Sequence, residues 1–255
     1  MLPFRVPSTP EAVMSAPEHR ASASLAEPRP LTPGALPGPL PAPGAVPDLW
    51  SLRILAYDAP DAPDALALLD PAERRRHSAF RRAEDRVRYL VAHAALRGLA
   101  GAYLRQEPAS VRFGREDCPL CPEPHGRPSL PGSGLHFSLS HSADLVMFAF
   151  GATPVGVDVE ILPSPSQVDE VAQVLHPREQ RELAALQGDD PARAAAFGRC
   201  WCRKEAYLKG TGTGLAVPLG DTYVGAGERP GDVPGWRIAD VRAPEGYAAA
   251  LAYVT

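Results

Sequence analysis

The sequence predicts an α+β fold made of two similar α/β halves in one chain, and three observations carry that reading. A capped-helix phrase, Leu69-Asp70-Pro71-Ala72-Glu73-Arg74-Arg75-Arg76, returns 106 residues later as Leu175-His176-Pro177-Arg178-Glu179-Gln180-Arg181, with the Leu, Pro, Glu and Arg spacing kept. Each copy follows a strand pattern and precedes a longer helical pattern, at 85–104 and 192–209, so the self-similarity points to a duplicated segment. Apolar runs at 135–141, 145–150 and 155–161, parted by Ser142-Ala143-Asp144 and Gly151-Ala152-Thr153, read as three strands of an antiparallel meander.

Twelve of the 30 Pro lie before Asp48, among small residues without apolar periodicity. Residues 1–47 are therefore expected to form a disordered or extended tail, followed by halves at 48–150 and 151–255. Globular patterning begins near Leu49, where Leu52, Ile54 and Ala56 alternate as in a strand. Asp70 is placed as an N-cap, Pro71 at the first helical position and Glu73 at the third. Residues 236–240 and 247–254 read as the last strands.

With 255 residues, 45% apolar and 22% charged, the chain is long enough for a large core and has the composition of a soluble globular protein. A net charge of −4 excludes a global basic field for nucleic acid or anionic membrane, so any anion site has to be local. No apolar run approaches the ~18 residues of a membrane span and no compact signal segment opens the chain, which predicts a cytoplasmic protein. In such a compartment the pairs Cys118/Cys121 and Cys200/Cys202 are not expected to form a disulfide framework. Of the 26 basic residues, only Lys204 and Lys209 are lysines, and both fall in one six-residue window.

Period-two alternation at 155–161 turns Val155, Val157 and Val159 one way and Gly156, Asp158 and Glu160 the other. Two carboxylates on one face repel unless a cation sits between them, although a solvated strand end has the same pattern. On the helix at 192–209, a projection of ~100° per residue groups Phe197, Trp201 and Leu208 as the buried stripe and sets Glu205 and Lys209 at its border. If Glu205 meets Asp158 and Glu160, the three carboxylates offer oxygen ligands suited to Mg2+ or Mn2+, and Lys209 and Lys204 could bind the phosphates that such a metal bridges. An i,i+4 Glu–Lys pair stabilising an amphipathic helix is the plainer alternative.

Four segments together resemble the 4'-phosphopantetheinyl transferase superfamily, in the longer, pseudo-dimeric branch that includes the surfactin-synthetase-activating enzyme. They are His125-Gly126-Arg127-Pro128, Phe137-Ser138-Leu139-Ser140-His141-Ser142, Val155-Gly156-Val157-Asp158-Val159-Glu160, and the W-x-x-K-E-A-x-x-K pattern from Trp201 to Lys209. The resemblance covers roughly residues 49 to 254 and implies an active site at the interface of the halves. It also implies transfer of phosphopantetheine from coenzyme A to the serine of an acyl or peptidyl carrier protein, with release of 3',5'-ADP. Carried over, Asp158, Glu160 and Glu205 would bind Mg2+, Glu205 acting as ligand, as base or as both. Lys209 would compensate phosphoryl charge or protonate the leaving diphosphate, and Arg76 and His141 would grip the 3'-phosphate. Arg127, Pro128, Ser140 and Lys204 would complete the coenzyme site. Arg127 stands where the family often has Lys, which favours bidentate contacts. A single chain carrying both halves is expected to act as a monomer, without nucleic acid or membrane as partner.

Two other readings stay open. One is a different Mg2+-dependent phosphoryl enzyme, and the other is a non-catalytic carrier-binding module. Cys118, Cys121 and His125 have zinc-like spacing but no fourth ligand nearby in sequence. Gly210-Thr211-Gly212-Thr213-Gly214 follows a helix instead of opening one, so it reads as a helix stop and loop.

Overall fold

The strand signals at 135–161 and 236–254 come true within a residue or two in the computed structural model, which describes residues 25–32, 34–56, 62–121 and 126–255. The first half runs β1 (Arg29–Pro30), β2 (Asp48–Arg53), α1 (Ala62–Leu68), α2 (Pro71–Ala79), α3 (Ala83–Leu104), β3 (Gly114–Arg115), β4 (Pro128–Ser129), β5 (His136–Ser142) and β6 (Leu145–Gly151). The second runs β7 (Val155–Ile161), α4 (Pro165–Val171), α5 (Pro177–Ala184), α6 (Asp190–Thr211), β8 (Trp236–Asp240) and β9 (Tyr247–Val254). One sheet has the order β1-β2-β6-β5 and the other β7-β9-β8, with β3 and β4 a small separate hairpin. The mixed α+β class expected from the sequence is what forms.

The repeated phrase does the same physical work twice. Asp70 accepts from the amides of Ala72 and Glu73, and Glu73 returns a carboxylate oxygen to the Asp70 amide at 2.8 Å. His176 and Glu179 make the same reciprocal cap on α5. These contacts satisfy amides that a helix start leaves without partners. Each glutamate also meets a buried cation of the long helix that follows: Glu73 meets Arg97 at 2.7 Å, and Glu179 meets Lys204 at 2.7 Å.

One expectation needs correction and another gains detail. The meander stops at β6, because β7 leaves that sheet and pairs antiparallel with β9, Asp158 opposite Ala250. Val155, Val157 and Val159 bury instead against Leu49, Leu145 and Met147, so the two sheets share a core between them. The opposite face of β7 lies under α6, and a hairpin neighbour in one sheet cannot cover both faces. The segment 1–47, expected as a disordered or extended tail, is extended and paired with the sheets at residues 26 and 29–31, within its described parts 25–32 and 34–47. The Ala26 amide donates to Asp240 O and its carbonyl accepts from Arg242, β1 pairs parallel with β2, and Arg29 bridges to Asp48 at 2.8 Å while lying over the Trp50 ring. Extended Pro-rich backbone still carries enough amides and carbonyls to pair with exposed sheet edges. Residues 1–24 lie outside the described residues.

The seat of α6 decides the geometry of everything that follows. The helix touches the second sheet along Gly198, Cys202, Ala206 and Gly210, an i,i+4 series of small residues. At Gly156 a Cβ would fall 1.9 Å from the Ala206 carbonyl oxygen, so only glycine admits the helix this close. The predicted stripe is right for Phe197 and Leu208, which are buried, but Trp201 is only half-buried.

Candidate active site

Gly156 brings α6 onto β7, and the residues flanking the small-residue seam, Glu205 and Lys209, are thereby carried to the carboxylates of β7. Asp158 is 2% exposed, and its Oδ1 accepts from Lys209 Nζ at 2.6 Å and from Ser140 Oγ at 2.8 Å. Lys209 Nζ also reaches Ser140 Oγ at 2.9 Å and the Val157 carbonyl at 3.3 Å. The other carboxylate oxygen of Asp158 is buried with no hydrogen-bond partner. A buried anionic oxygen in that condition is costly, and in natural structures it calls for a cation or donor.

Burial pushes the Glu160 and Glu205 carboxyls above the ordinary carboxylate range, and the charge of Asp158 adds to the effect in both. Ser142 Oγ donates to Glu160 at 2.9 Å and Lys209 lies close enough to both to act in the opposite direction, but neither contact cancels the desolvation. Among the described residues, no three His, Cys, Asp or Glu side chains are drawn together as a finished metal shell. The carboxylates share one neighbourhood, with the Lys209 ammonium compensating Asp158. Hard oxygen donors, one of them orphaned, are nonetheless the chemistry that a divalent ion such as Mg2+ requires.

Serines at every second position of β5 join the halves. Ser138 Oγ accepts the Val157 amide at 3.0 Å, Ser140 holds Asp158, and Ser142 holds Glu160 while accepting the Ile161 amide at 3.1 Å. These hydroxyls replace the backbone ladder that β5 and β7 lack. Ser138 and Ser142 were not singled out from sequence as site residues, although their period-two spacing was a usable signal. Ser140 was expected to contact a nucleotide; its hydroxyl instead lies between Asp158 and Lys209 and is buried.

The other expected residues divide. Desolvation and then the Arg88 charge push the His141 imidazole below its ordinary range, with Lys209 and His93 acting in the same direction. His93 stacks on Tyr89 at 3.9 Å and meets Glu73 at 3.2 Å, and Arg76 on the exposed side of α2 acts electrostatically on the same Tyr89. Arg88 and His93 thus lie in the neighbourhood of His141, and Arg76 in that of Tyr89, a grouping that the sequence did not reveal, since its members come from three elements. The Arg127 guanidinium bonds the Gly210 carbonyl at 2.5 Å and Glu116 at 2.6 Å, which ties the β3–β4 hairpin to the C-terminal end of α6 instead of opening toward a phosphate. Pro128 follows in β4, exposed, and His125 lies outside the described residues.

Lys204 is the clear correction. It is 2% exposed and pairs with Glu179 while donating to the Leu219 and Thr222 carbonyls at 2.8 and 2.6 Å. It faces away from Asp158, because on a helix the residue five positions before Lys209 projects well away from it. Its role is to hold the loop after α6. The Gly-rich stretch behaves as expected, with Gly212 ending α6 in a left-handed cap at φ 78°.

Beside Glu160 an apolar recess of about 180 Å³ opens between Gln167 and Val171 of α4 and Phe197 and Trp201 of α6. No described helix is long and apolar enough to cross a membrane.

The family model of the 4'-phosphopantetheinyl transferase superfamily matches residues 154–231, the stretch that supplies Asp158, Glu160, Glu205 and Lys209. The chain is 35% identical over 176 residues to the 4'-phosphopantetheinyl transferase HetI of Nostoc sp., covering 66% of this chain and 69% of that protein. It is 26% identical to the 4'-phosphopantetheinyl transferase Sfp of Bacillus subtilis over 60% of this chain and 65% of that one. A putative 4'-phosphopantetheinyl transferase of Synechocystis sp. is 27% identical over 82% of this chain and 87% of its own length. With its fold and carboxylate cluster, the chain belongs to the 4'-phosphopantetheinyl transferase superfamily.

Proposed function

We propose that the chain transfers the 4'-phosphopantetheine arm of coenzyme A to a serine hydroxyl of an acyl or peptidyl carrier protein, using Mg2+ and releasing 3',5'-ADP. The observation that carries this reading is the buried Asp158, with one oxygen held by Lys209 and Ser140 and the other left without a partner, beside two carboxyls with raised pKa. Asp158, Glu160 and Glu205 would hold the metal, with Mn2+ as a substitute. Bound there, Mg2+ would neutralise the pyrophosphate and the charge spread over the transferring phosphoryl oxygens.

Lys209, fixed by Ser140 and the Val157 carbonyl, presents its ammonium to the same oxygens. Glu205, with its pKa raised by burial, is suited to accept the proton of the attacking serine. His141, with Arg88 nearby, would take the 3'-phosphate together with Arg76, and an incoming anion would restore the proton that burial and the cationic neighbours of His141 disfavour. The apolar recess beside Glu160 offers a seat for the carrier's serine-bearing helix. Exposed Arg74, Arg75, Arg81 and Arg82 would steer an acidic carrier and make docking salt-sensitive. The recurrence at 106 residues supports a duplicated architecture with the site between the halves, His141 coming from the first and the carboxylates from the second. One chain then suffices, and the active species is a monomer.

The test is the intact mass of an apo carrier protein incubated with the chain, coenzyme A and Mg2+. A gain of one phosphopantetheine, abolished by EDTA and by Asp158→Ala, is the expected result. No gain on either carrier type from demonstrably folded protein would overturn the proposal in favour of another phosphoryl enzyme or a binding module.

A further inference from the structure

The two sheets adjoin where β5 lies along β7, and the polar contacts there are serine hydroxyls with no backbone ladder. Leaving β1 aside, the orders β2-β6-β5 and β7-β9-β8 put β2 and β8 at the edges farthest from that seam. Such edges keep backbone groups free to pair with another segment.

Residues 26–31 reach both far edges. The Ala26 amide donates to the Asp240 carbonyl and the Ala26 carbonyl accepts from the Arg242 amide, both at 2.9 Å, in a parallel bridge just past β8. At the same register the Val241 amide turns the other way, to the Ala249 carbonyl of β9, so Ala26 takes the outer edge. Glu27 adds an ion pair to Arg242. At the other end Arg29 and Pro30 pair with Trp50 and Ser51, and the Leu31 amide donates to the Ser51 carbonyl at 2.7 Å. Ala26 packs against the core shared by the sheets, and Leu31 against the core of the first half.

Between these anchors the strap does not fill a core. A recess of about 290 Å³ opens there, walled by Pro28 and Leu31 of the strap, Leu145 and Met147 of β6, and Arg242 and Pro244 after β8. The strap therefore holds by its ends, and Pro28 and Pro30, with φ fixed by their rings, make the span between them stiff. The result is a ring that runs β2-β6-β5, across the serine seam to β7-β9-β8, and back along the strap to β2. Turning one sheet against the other about their shared core opens the seam unless the far edges are tied.

We propose that residues 26–31 act as a clasp: by pairing with the outer edges of β8 and β2 at once, they close the two sheets into a ring and hold the β5–β7 seam shut. The clasp thereby fixes Ser140 against Asp158 and Ser142 against Glu160, although it touches none of them.

The test is residue-resolved hydrogen–deuterium exchange by NMR on the full chain and on Ala26→Pro, which removes the amide that donates to Asp240. The seam carries its own reporters, the Val157 amide on Ser138 Oγ and the Ile161 amide on Ser142 Oγ. Release of the clasp should speed exchange at both by about 10-fold, while amides of the β5–β6 and β7–β9 ladders change by less than about twofold. Arg242→Pro cuts the same link from the β8 side and should give the same pattern, so a fold defect in one variant leaves the other decisive. Unchanged exchange at Val157, once the Arg242 amide of Ala26→Pro has lost its protection, overturns the proposal and makes the strap an edge cover alone. Equal acceleration across both sheets, or loss of the fold in both variants, overturns it as well, because the strap would then support the whole fold and not the seam. No coenzyme or carrier enters the measurement, so its outcome is separate from that of the transfer proposed above.

Discussion

The face of β2 that packs with α3 carries Trp50 and Leu52, with Ile54 just beyond the strand, while 106 residues later the face of β7 that meets α6 carries Gly156, Asp158 and Glu160. On the helices the same offset sets Leu99 and Tyr103 against Glu205 and Lys209. The first layer is mostly apolar, with Leu52 and Leu99 each 2% exposed and the Tyr103 hydroxyl satisfied by Trp50 and Asp48, and it stabilises the fold by burial. The second uses the equivalent positions for ionisable groups held partly out of water, which opposes stability. It tolerates them because α6 is fastened elsewhere: by the backbone contact at Gly156, by Arg203 on Asp240 at 2.6 and 2.7 Å, and by Lys204 on Glu179. One layer of the molecule supplies core and the other supplies chemistry.

The largest expected effects come from substituting equivalent positions in the two layers. Asp158→Ala should lower kcat/KM for carrier modification by about 10³-fold or more, with thermal unfolding little changed or improved. Leu52→Ala should leave kcat/KM per folded molecule intact and cost about 2–5 kcal/mol of stability. If Leu52→Ala abolished transfer without unfolding, the division of labour would be wrong.

Next come the buried cations. Lys204→Met should cost about 3–5 kcal/mol in denaturant unfolding, because Glu179 is left as an uncompensated buried charge, and adding Glu179→Gln should restore most of it. The KM for coenzyme A should not move. A raised KM at unchanged stability would return Lys204 to the phosphate site that its place in the sequence suggested.

The two layers should also respond to pH with opposite sign. Glu160 and Glu205 have folded pKa values above the unfolded one, so their contribution is full below the unfolded pKa and is lost as pH rises through the folded values. Mg2+ should therefore raise Tm more at about pH 8 than at about pH 5, where protons compete for the same oxygens. In the first half the sign reverses. Hydrogen bonds from His93, the Asp70 amide and Arg97 outweigh burial and hold Glu73 low, so its contribution is present above the unfolded pKa and lost as pH falls through the folded one. Glu73→Gln should flatten the acid limb of a stability–pH curve, and Glu205→Gln the fall above the ordinary carboxylate range.

The smallest effect is expected at Ser142→Ala, which removes a hydroxyl from Glu160 and from the Ile161 amide. A loss of about 1 kcal/mol in stability and a few-fold in kcat/KM should follow, less than for Asp158→Ala.

Much of this was legible before any coordinates. The caps at Asp70 and His176, the alternation that puts Asp158 and Glu160 on one face, and the helix carrying Glu205 and Lys209 are local patterns, set by periods of two and 3.6 residues. The sheet pairing of residues 26 and 29–31 was not legible, because pairing with a sheet edge depends on where that edge lies and not on the composition of the strap. Nor was the grouping of Arg88, His93 and His141, whose members are distant in sequence.

The sequence by itself determined the α+β class, the repeated helix caps, the strand and helix that bear the carboxylates, and the family. Only the tertiary structure decided that Lys204 braces a loop while Lys209 enters the site, that β7 abandons the meander for β9, and that alternate serines of β5 hold both β7 carboxylates. The reason is physical: periodicity says which side chains share a face, but which face is buried, and against what partner, depends on the packing of elements that the chain brings together from far apart.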